Sequence, residues 1–310
     1  MKSKWVVFIL SLIVIAIVSG CIDQSDKDGI KYSNDALILD GYKTQTRVFP
    51  NQDMFIEFWL TNQVENEVKN VDVKFFNPSV FKIIELKCGE DDVIGDTCHF
   101  DEIKSLNAKI IHAGFKVPSE EEIGELGGTH RIQFSVEYDY DGESVLYFRI
   151  LNVEEESTET RMRTTQTTGP VHLEIEPGFI IEVIEDSQKK TISDWVIEGM
   201  SFSVKVTGEN VGKLGSGYEY PDIDIDDFNI TLKNVNVNES DIDNCDFNVT
   251  DNILKKDDIT ISKKEEFRPL ICILTPREGF PEPEIPGIIK ADYSYKYEFV
   301  KTEKIKIETV

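Results

Sequence analysis

The sequence has little base for its acid. Lys and Arg total 33 against 58 Asp and Glu, a net charge of −25. A chain so acidic is repelled by nucleic acid and by anionic lipid surfaces, so nucleic acid is not expected as a partner. Histidine is scarce too. The four present, His99, His112, His130 and His172, share no metal spacing such as His-Glu-x-x-His. There is no Gly-x-Ser-x-Gly elbow, no Gly-rich phosphate loop and no Cys-x-x-Cys pair. Carboxylate pairs are so frequent that none singles itself out. No enzymatic motif is left, and a non-enzymatic chain without a cofactor is expected.

The start of the chain carries the clearest signal. Lys2 and Lys4 form a basic head, an apolar run extends from Trp5 to Val18, and Val18-Ser19-Gly20-Cys21 follows. The run has the length of a secretory h-region and falls short of the roughly 20 residues of a spanning helix. Small residues leading into a cysteine resemble the lipobox of prokaryotic lipoprotein signals. The resemblance implies removal of residues 1–20, a lipid on the Cys21 thiol, and a chain on the extracellular face of the cell membrane. The alternative is an uncleaved anchor with Trp5–Val18 in the bilayer. Loss of Lys2 and Lys4 would take the charge from −25 to −27.

The remaining length, about 290 residues, is enough for two domains. Hydrophobic residues at 40% are too many for disorder. Of five cysteines, Cys21 belongs to the lipobox. An even remainder outside the cell reads as disulfides. Cys88–Cys98 and Cys245–Cys272 are the expected pairs, because each then lies within one predicted domain. His99 beside Cys98 is a lone candidate for zinc.

Residues 21–35 read as a polar tether and 36–153 as a first domain. Met54–Leu60, Val71–Phe75, Phe81–Leu86 and Ala108–Val117 have strand character. Ser119 and Glu122 have capping-box spacing. Arg131–Tyr138 and Val145–Val153 alternate around Asp141-Gly142, a hairpin signal. Residues 154–169 hold six threonines and read as a linker and a candidate for O-glycosylation. The second domain, 170–310, brings strands at Val171–Ile175, Phe179–Ile184, Ser201–Thr207 and Asp226–Val237. Leu270–Leu274 is apolar on both faces and is expected to be a covered strand. Ile288–Phe299 and Lys301–Thr309 are expected as two closing strands.

The halves repeat each other. Phe55–Asn62 corresponds to Phe202–Asn210, Val71–Phe75 to Phe228–Leu232, Phe115–Pro118 to Ile273–Pro276, and Arg131–Ile150 to Lys290–Ile307. Each copy has about seven short strands, the signature of an immunoglobulin-like β-sandwich, so the expected fold is all-β with two tandem sandwiches. An apolar strand ending in a Thr/Gly/Asn turn and followed by Val-x-Val-x-Phe is similar to the CARDB-like, cell-adhesion-related domains of archaeal and bacterial surface proteins. Phe58–Asn62 with Lys69–Phe75, and Val204–Val211 with Asp226–Leu232, carry the likeness. It implies an extracellular sandwich associated with adhesion or the envelope and transfers no functional residues.

Two clusters are candidate sites. Asp222, Asp224 and Asp226 would share one face of a strand and suit Ca²⁺. An EF-hand is excluded, since Asp227 stands at position six and Lys233 at position twelve. The alternative is a solvated acidic edge. Asn229, Asn238 and Asn248 open glycosylation sequons. Together these features point to a lipid-anchored surface protein that binds envelope proteins or glycans, or spaces them from the membrane. The alternative is an accessory or solute-capturing lipoprotein of a transporter or envelope enzyme. Classical solute-binding lipoproteins are helix-rich, and this chain is not.

Overall fold

Met54, Ile56, Phe58 and Leu60 are buried, while Phe55, Glu57 and Trp59 between them are not. That period of two organises nearly the whole chain as β-structure. The computed structural model describes residues 34–123, 128–152, 163–178, 181–185, 188–192, 195–212, 218–219, 222–262 and 267–308. Ser33–Val310 cluster as one unit.

In the first half the strands are β1 (Leu37–Thr44), β2 (Arg47–Val48), β3 (Asp53–Asn62), β4 (Val68–Asn77), β5 (Lys82–Lys87), β6 (Asp92–Ile94), β7 (Thr97–Ile103) and β8 (Ala108–Lys116). One helical turn, α1 (Glu120–Ile123), precedes β9 (Thr129–Leu151). The capping box is formed: the Ser119 backbone N–H donates to Glu122 Oε2 at 2.8 Å, and the Glu122 N–H donates to Ser119 Oγ at 3.3 Å. The second half has β10 (Arg163–Gln166), β11 (Val171–Pro177), β12 (Ile181–Glu185), β13 (Gln188–Ile192), β14 (Trp195–Ile197), β15 (Phe202–Asn210), β16 (Tyr218–Glu219), β17 (Ile223–Lys233) and β18 (Val235–Asn236). It ends with β19 (Asn248–Thr250), β20 (Ile253–Lys255), β21 (Ile259–Ile261), β22 (Leu270–Pro276) and β23 (Glu284–Ile307).

Two small sheets have matching order. One runs β1-β3-β8-β5 and the other β11-β15-β22-β18. Each strand of the first has its counterpart, in chain order, in the second. Both pack on one large sheet whose centre is the antiparallel pair β9–β23. β9 is 23 residues long, or roughly 75 Å at the usual strand rise. β4 pairs with residues 133–139 of β9, and β17 with residues 288–295 of β23. Beyond those stretches each long strand crosses into the other half. β10 and β14 of the second half pair with the end of β9, and β2 of the first half pairs with the end of β23. Phe134 of β9 stacks on Phe58 of β3 at 5.1 Å, while Phe148 of the same strand meets Phe202 of β15 at 5.6 Å. One strand thus feeds the packing of both halves, and a single apolar core results.

The Asp141-Gly142 hairpin is therefore overturned, since β9 runs straight through it. Gly142 lies opposite Tyr293, and a Cβ there would come within 2.3 Å of the Tyr293 ring. The glycine makes room for an aromatic ring and does not turn the chain. The two closing strands are likewise one, β23. Arg163–Gln166, expected in the linker, form strand β10 against β9. Leu270–Leu274 is central in its sheet, yet Ile271 is 44% exposed, so only one face is covered.

Candidate binding face

The outward side of the β1-β3-β8-β5 sheet combines apolar and charged groups in a set order. Trp59 on β3 lies between Asp40 of β1 and Ile110 of β8. Both Trp59 and Ile110 are about half exposed, at 47% and 50%. Strand pairing turns them outward because Phe58, Leu60 and Ile111 take the core positions. A bulge between Asp40 and Lys43 gives β1 one extra residue where β3 passes from Trp59 to Glu57. Gly41 sits in that bulge at φ +57°, and a Cβ on it would meet the indole Cδ2 at 3.5 Å.

Beside this pair a row of charges crosses the sheet. Lys43 Nζ lies 2.8 Å from Glu57 Oε1, His112 Nδ1 3.3 Å from Glu57 Oε2, and His112 Nε2 3.7 Å from Glu85 Oε2. Lys87 Nζ closes the row 2.5 Å from Glu85. Hydrogen bonds from Lys43 first, then His112, hold the Glu57 carboxyl below its usual range, and the hydrogen bond from Lys87 does the same for Glu85. Phe55 stacks on the His112 ring at 5.5 Å. Lys43 and Lys87 balance Glu57 and Glu85, which leaves the row locally near neutral on a strongly acidic chain.

The residues singled out from sequence fall elsewhere. Cys21 lies outside the described residues. Cys88–Cys98 and Cys245–Cys272 are both disulfides. Cys98 is thus unavailable to a metal, and His99 instead sits between Asp72 at 2.7 Å and Asp101 at 3.4 Å. Asp222, Asp224 and Asp226 are all exposed. Asp224 accepts a hydrogen bond from Thr260, and the β17 register shifts between Ile225 and Asp227. Asp222 and Asp226, four residues apart on an extended chain, stand roughly 13 Å from each other, too far for all three carboxylates to converge on one ion. Among the described residues no cluster of three His, Cys, Asp or Glu is placed to hold a metal, so the calcium expectation gains no geometric support.

Of the sequons, Asn248 is exposed at the start of strand β19. Asn229 is half-buried within β17, and the Asn238 side chain donates to Thr275 Oγ1 at 2.9 Å. Asn248 is the most accessible to a transferase.

One cavity of about 280 Å³ lies where β10 meets β11 and β15, lined by Thr164, Gln166, His172, Glu174, Thr207 and Glu209. Burial pulls the His172 ring below its ordinary pKa, and Glu209 acts the other way.

Sequence reasoning passed over Trp59. The signal was available: in Met54–Leu60 the inward set is Met54, Ile56, Phe58 and Leu60, which leaves a tryptophan in the outward register.

Comparisons with known proteins add little. No protein-family model matches the chain, and no curated protein matches it. Among solved structures it is similar to the secreted serine protease VesC from Vibrio cholerae, at 9% identity and a TM-score of 0.20, over 87% of this chain and 51% of that one. It is also similar to a Salmonella alpha-2-macroglobulin, at 11% identity and a TM-score of 0.15, over 80% of this chain and 15% of that one. The chain spans about half the length of VesC. Scores this low carry nothing over about fold detail or activity.

Proposed function

We propose that this is a non-enzymatic, lipid-anchored cell-surface protein that acts by binding, as an adhesion or envelope-spacing module. Cys21 carries the anchor in this reading, and two immunoglobulin-like sandwiches of the CARDB-like kind, joined through the shared β9–β23 sheet, form the outside part. The observation that supports it best is the outward face around Trp59. There Trp59 and Ile110 stand side by side and half exposed next to an ordered row of paired charges, so a partner covering both would remove apolar surface from water. The acidic surface favours solubility away from anionic lipid, and the long β9–β23 pair gives a stiff frame for holding a face at a distance.

Crosslinking on intact cells with a membrane-impermeant reagent tests the reading. Capture of envelope proteins or glycans is expected, together with loss of membrane retention in Cys21→Ala. Absence of labelling on intact cells would sink the surface location. The second reading, an accessory or solute-capturing lipoprotein, is favoured by the cavity at His172. Capture of a transporter subunit in the same experiment would select it.

A further inference from the structure

We propose that the outward face of the β1-β3-β8-β5 sheet binds an uncharged saccharide, with Trp59 as the platform for one pyranose ring. This rests on the binding reading above and names its ligand class.

The seat of Trp59 is the first argument. A Cβ on Gly41 would lie 3.5, 3.6 and 3.8 Å from indole Cδ2, Cε3 and Cε2. Near-equal distances to three fused-ring atoms mean that the Gly41 backbone lies under the ring face, not at its edge. The indole is laid flat, with one face closed by Gly41 and the residue still 47% exposed. The open face carries the negative side of the ring quadrupole. The axial C–H groups of a pyranose, polarised by neighbouring oxygens, are its complement.

The second argument is the polar row at the side of that platform. Glu57 stands two residues before Trp59 on the same face of β3, with Lys43 and His112 bonded to it. Sugar hydroxyls both donate and accept, and this row offers carboxylate acceptors next to ammonium and imidazole donors. Asp40, the cross-strand partner of Trp59, adds an acceptor on the other side.

Size and charge select among occupants. A stable protein interface buries about 1,600 Å² around an apolar centre. Here the apolar centre is Trp59 and Ile110, bounded by charges, which suits one or two sugar rings. A second copy of the chain would bring two bodies of net charge −25 together, and an anionic glycan would be repelled in the same way.

The test is calorimetric titration of the full chain with chitotetraose, cellotetraose and mannotetraose, with a heparin tetrasaccharide as the anionic control. At least one neutral sugar is expected to bind and heparin is not. Trp59→Ala should weaken binding at least about tenfold, as truncation of a central aromatic anchor does, and Trp59→Tyr should restore most of it. Glu57→Gln should weaken it less. An unchanged thermal melt of Trp59→Ala shows that the loss is local. The proposal is overturned if none of the three neutral sugars binds, if Trp59→Ala binds as the parent does, if heparin is preferred, or if the face proves to mediate self-association in sedimentation. The broader reading is judged separately. Failure of sugar binding with continued capture of an envelope protein on intact cells removes the saccharide alone, whereas no capture and no surface labelling removes the binding reading itself.

Discussion

Tyr140 and Tyr295 are direct cross-strand partners, their rings 5.7 Å apart, midway along the β9–β23 pair. Tyr138 and Tyr297, their rings 5.5 Å apart, form the next pair on the same face of the ladder, and Tyr293 stacks on Tyr295 at 6.1 Å. The Tyr140 hydroxyl donates to the Thr168 carbonyl, and Tyr293 donates to that of Val171 at 3.1 Å. Burial lifts the Tyr138, Tyr140, Tyr293 and Tyr295 hydroxyls far above the usual phenol range, so they stay protonated. The two halves of the chain therefore meet through a buried, hydrogen-bonded aromatic seam.

Because each long strand serves both halves, the halves should not fold apart. Cutting the chain at 154–169 would leave the end of β9 and the end of β23 as long unpaired edges. Fragments 34–153 and 170–308 are expected to be unfolded or aggregated alone and to recover strand signal in circular dichroism when mixed. The intact chain should melt in one calorimetric transition. A cooperative melt from either isolated fragment would refute the shared-sheet argument.

Gly142 gives a sharper local test. Its Cβ would clash with the Tyr293 ring at 2.3 Å, and Gly287 stands in the same relation to Phe148, again at 2.3 Å and again directly opposite in the ladder. Gly142→Ala should destabilise by about 1–3 kcal/mol, the range for overpacking a close-packed site. A denaturant midpoint equal to the parent would mean that the ring is not held there.

What could be read from the sequence was what local chemistry decides. Val71–Phe75 and Phe228–Leu232 alternate because one face of each is buried, and pairing cysteines within each half led to the correct bridges. The Ser119–Glu122 box worked because its partners are three residues apart. Asp141-Gly142 misled because its partner, Tyr293, lies in the other half of the chain, and no short-range rule distinguishes a glycine that turns from one that makes room. The same holds for Trp59. Its outward register follows from period two, but the Gly41 seat depends on a bulge in a different strand.

The disulfides should contribute unequally. Cys88–Cys98 spans 10 residues and Cys245–Cys272 spans 27. Constraint of the unfolded chain then gives about 2.7 kcal/mol for the first and about 3.5 kcal/mol for the second. Cys245→Ala/Cys272→Ala should thus lower the denaturant midpoint more than Cys88→Ala/Cys98→Ala. Equal losses, or the reverse order, would show that native-state packing around Cys88 and Cys98, both nearly fully buried, outweighs loop length.

Two histidines should pull the pH dependence of stability in opposite directions. The hydrogen bond to Asp72 raises the pKa of His99 above its ordinary 6.5, helped by Asp101. Its favourable contribution is fully present below pH 6.5 and fades as pH rises through the higher folded value. Burial instead lowers His172 from 6.5. The folded state resists protonating that ring, so stability falls as pH drops below 6.5 toward the lower folded value. Asp72→Asn should remove the loss on the alkaline side of 6.5 without touching the acid side. His172→Gln should flatten the acid-side loss and leave the other. Denaturant midpoints measured from pH 5 to 8 read both, and a Asp72→Asn profile parallel to the parent across that window would show that the 2.7 Å contact of His99 with Asp72 carries no net stability.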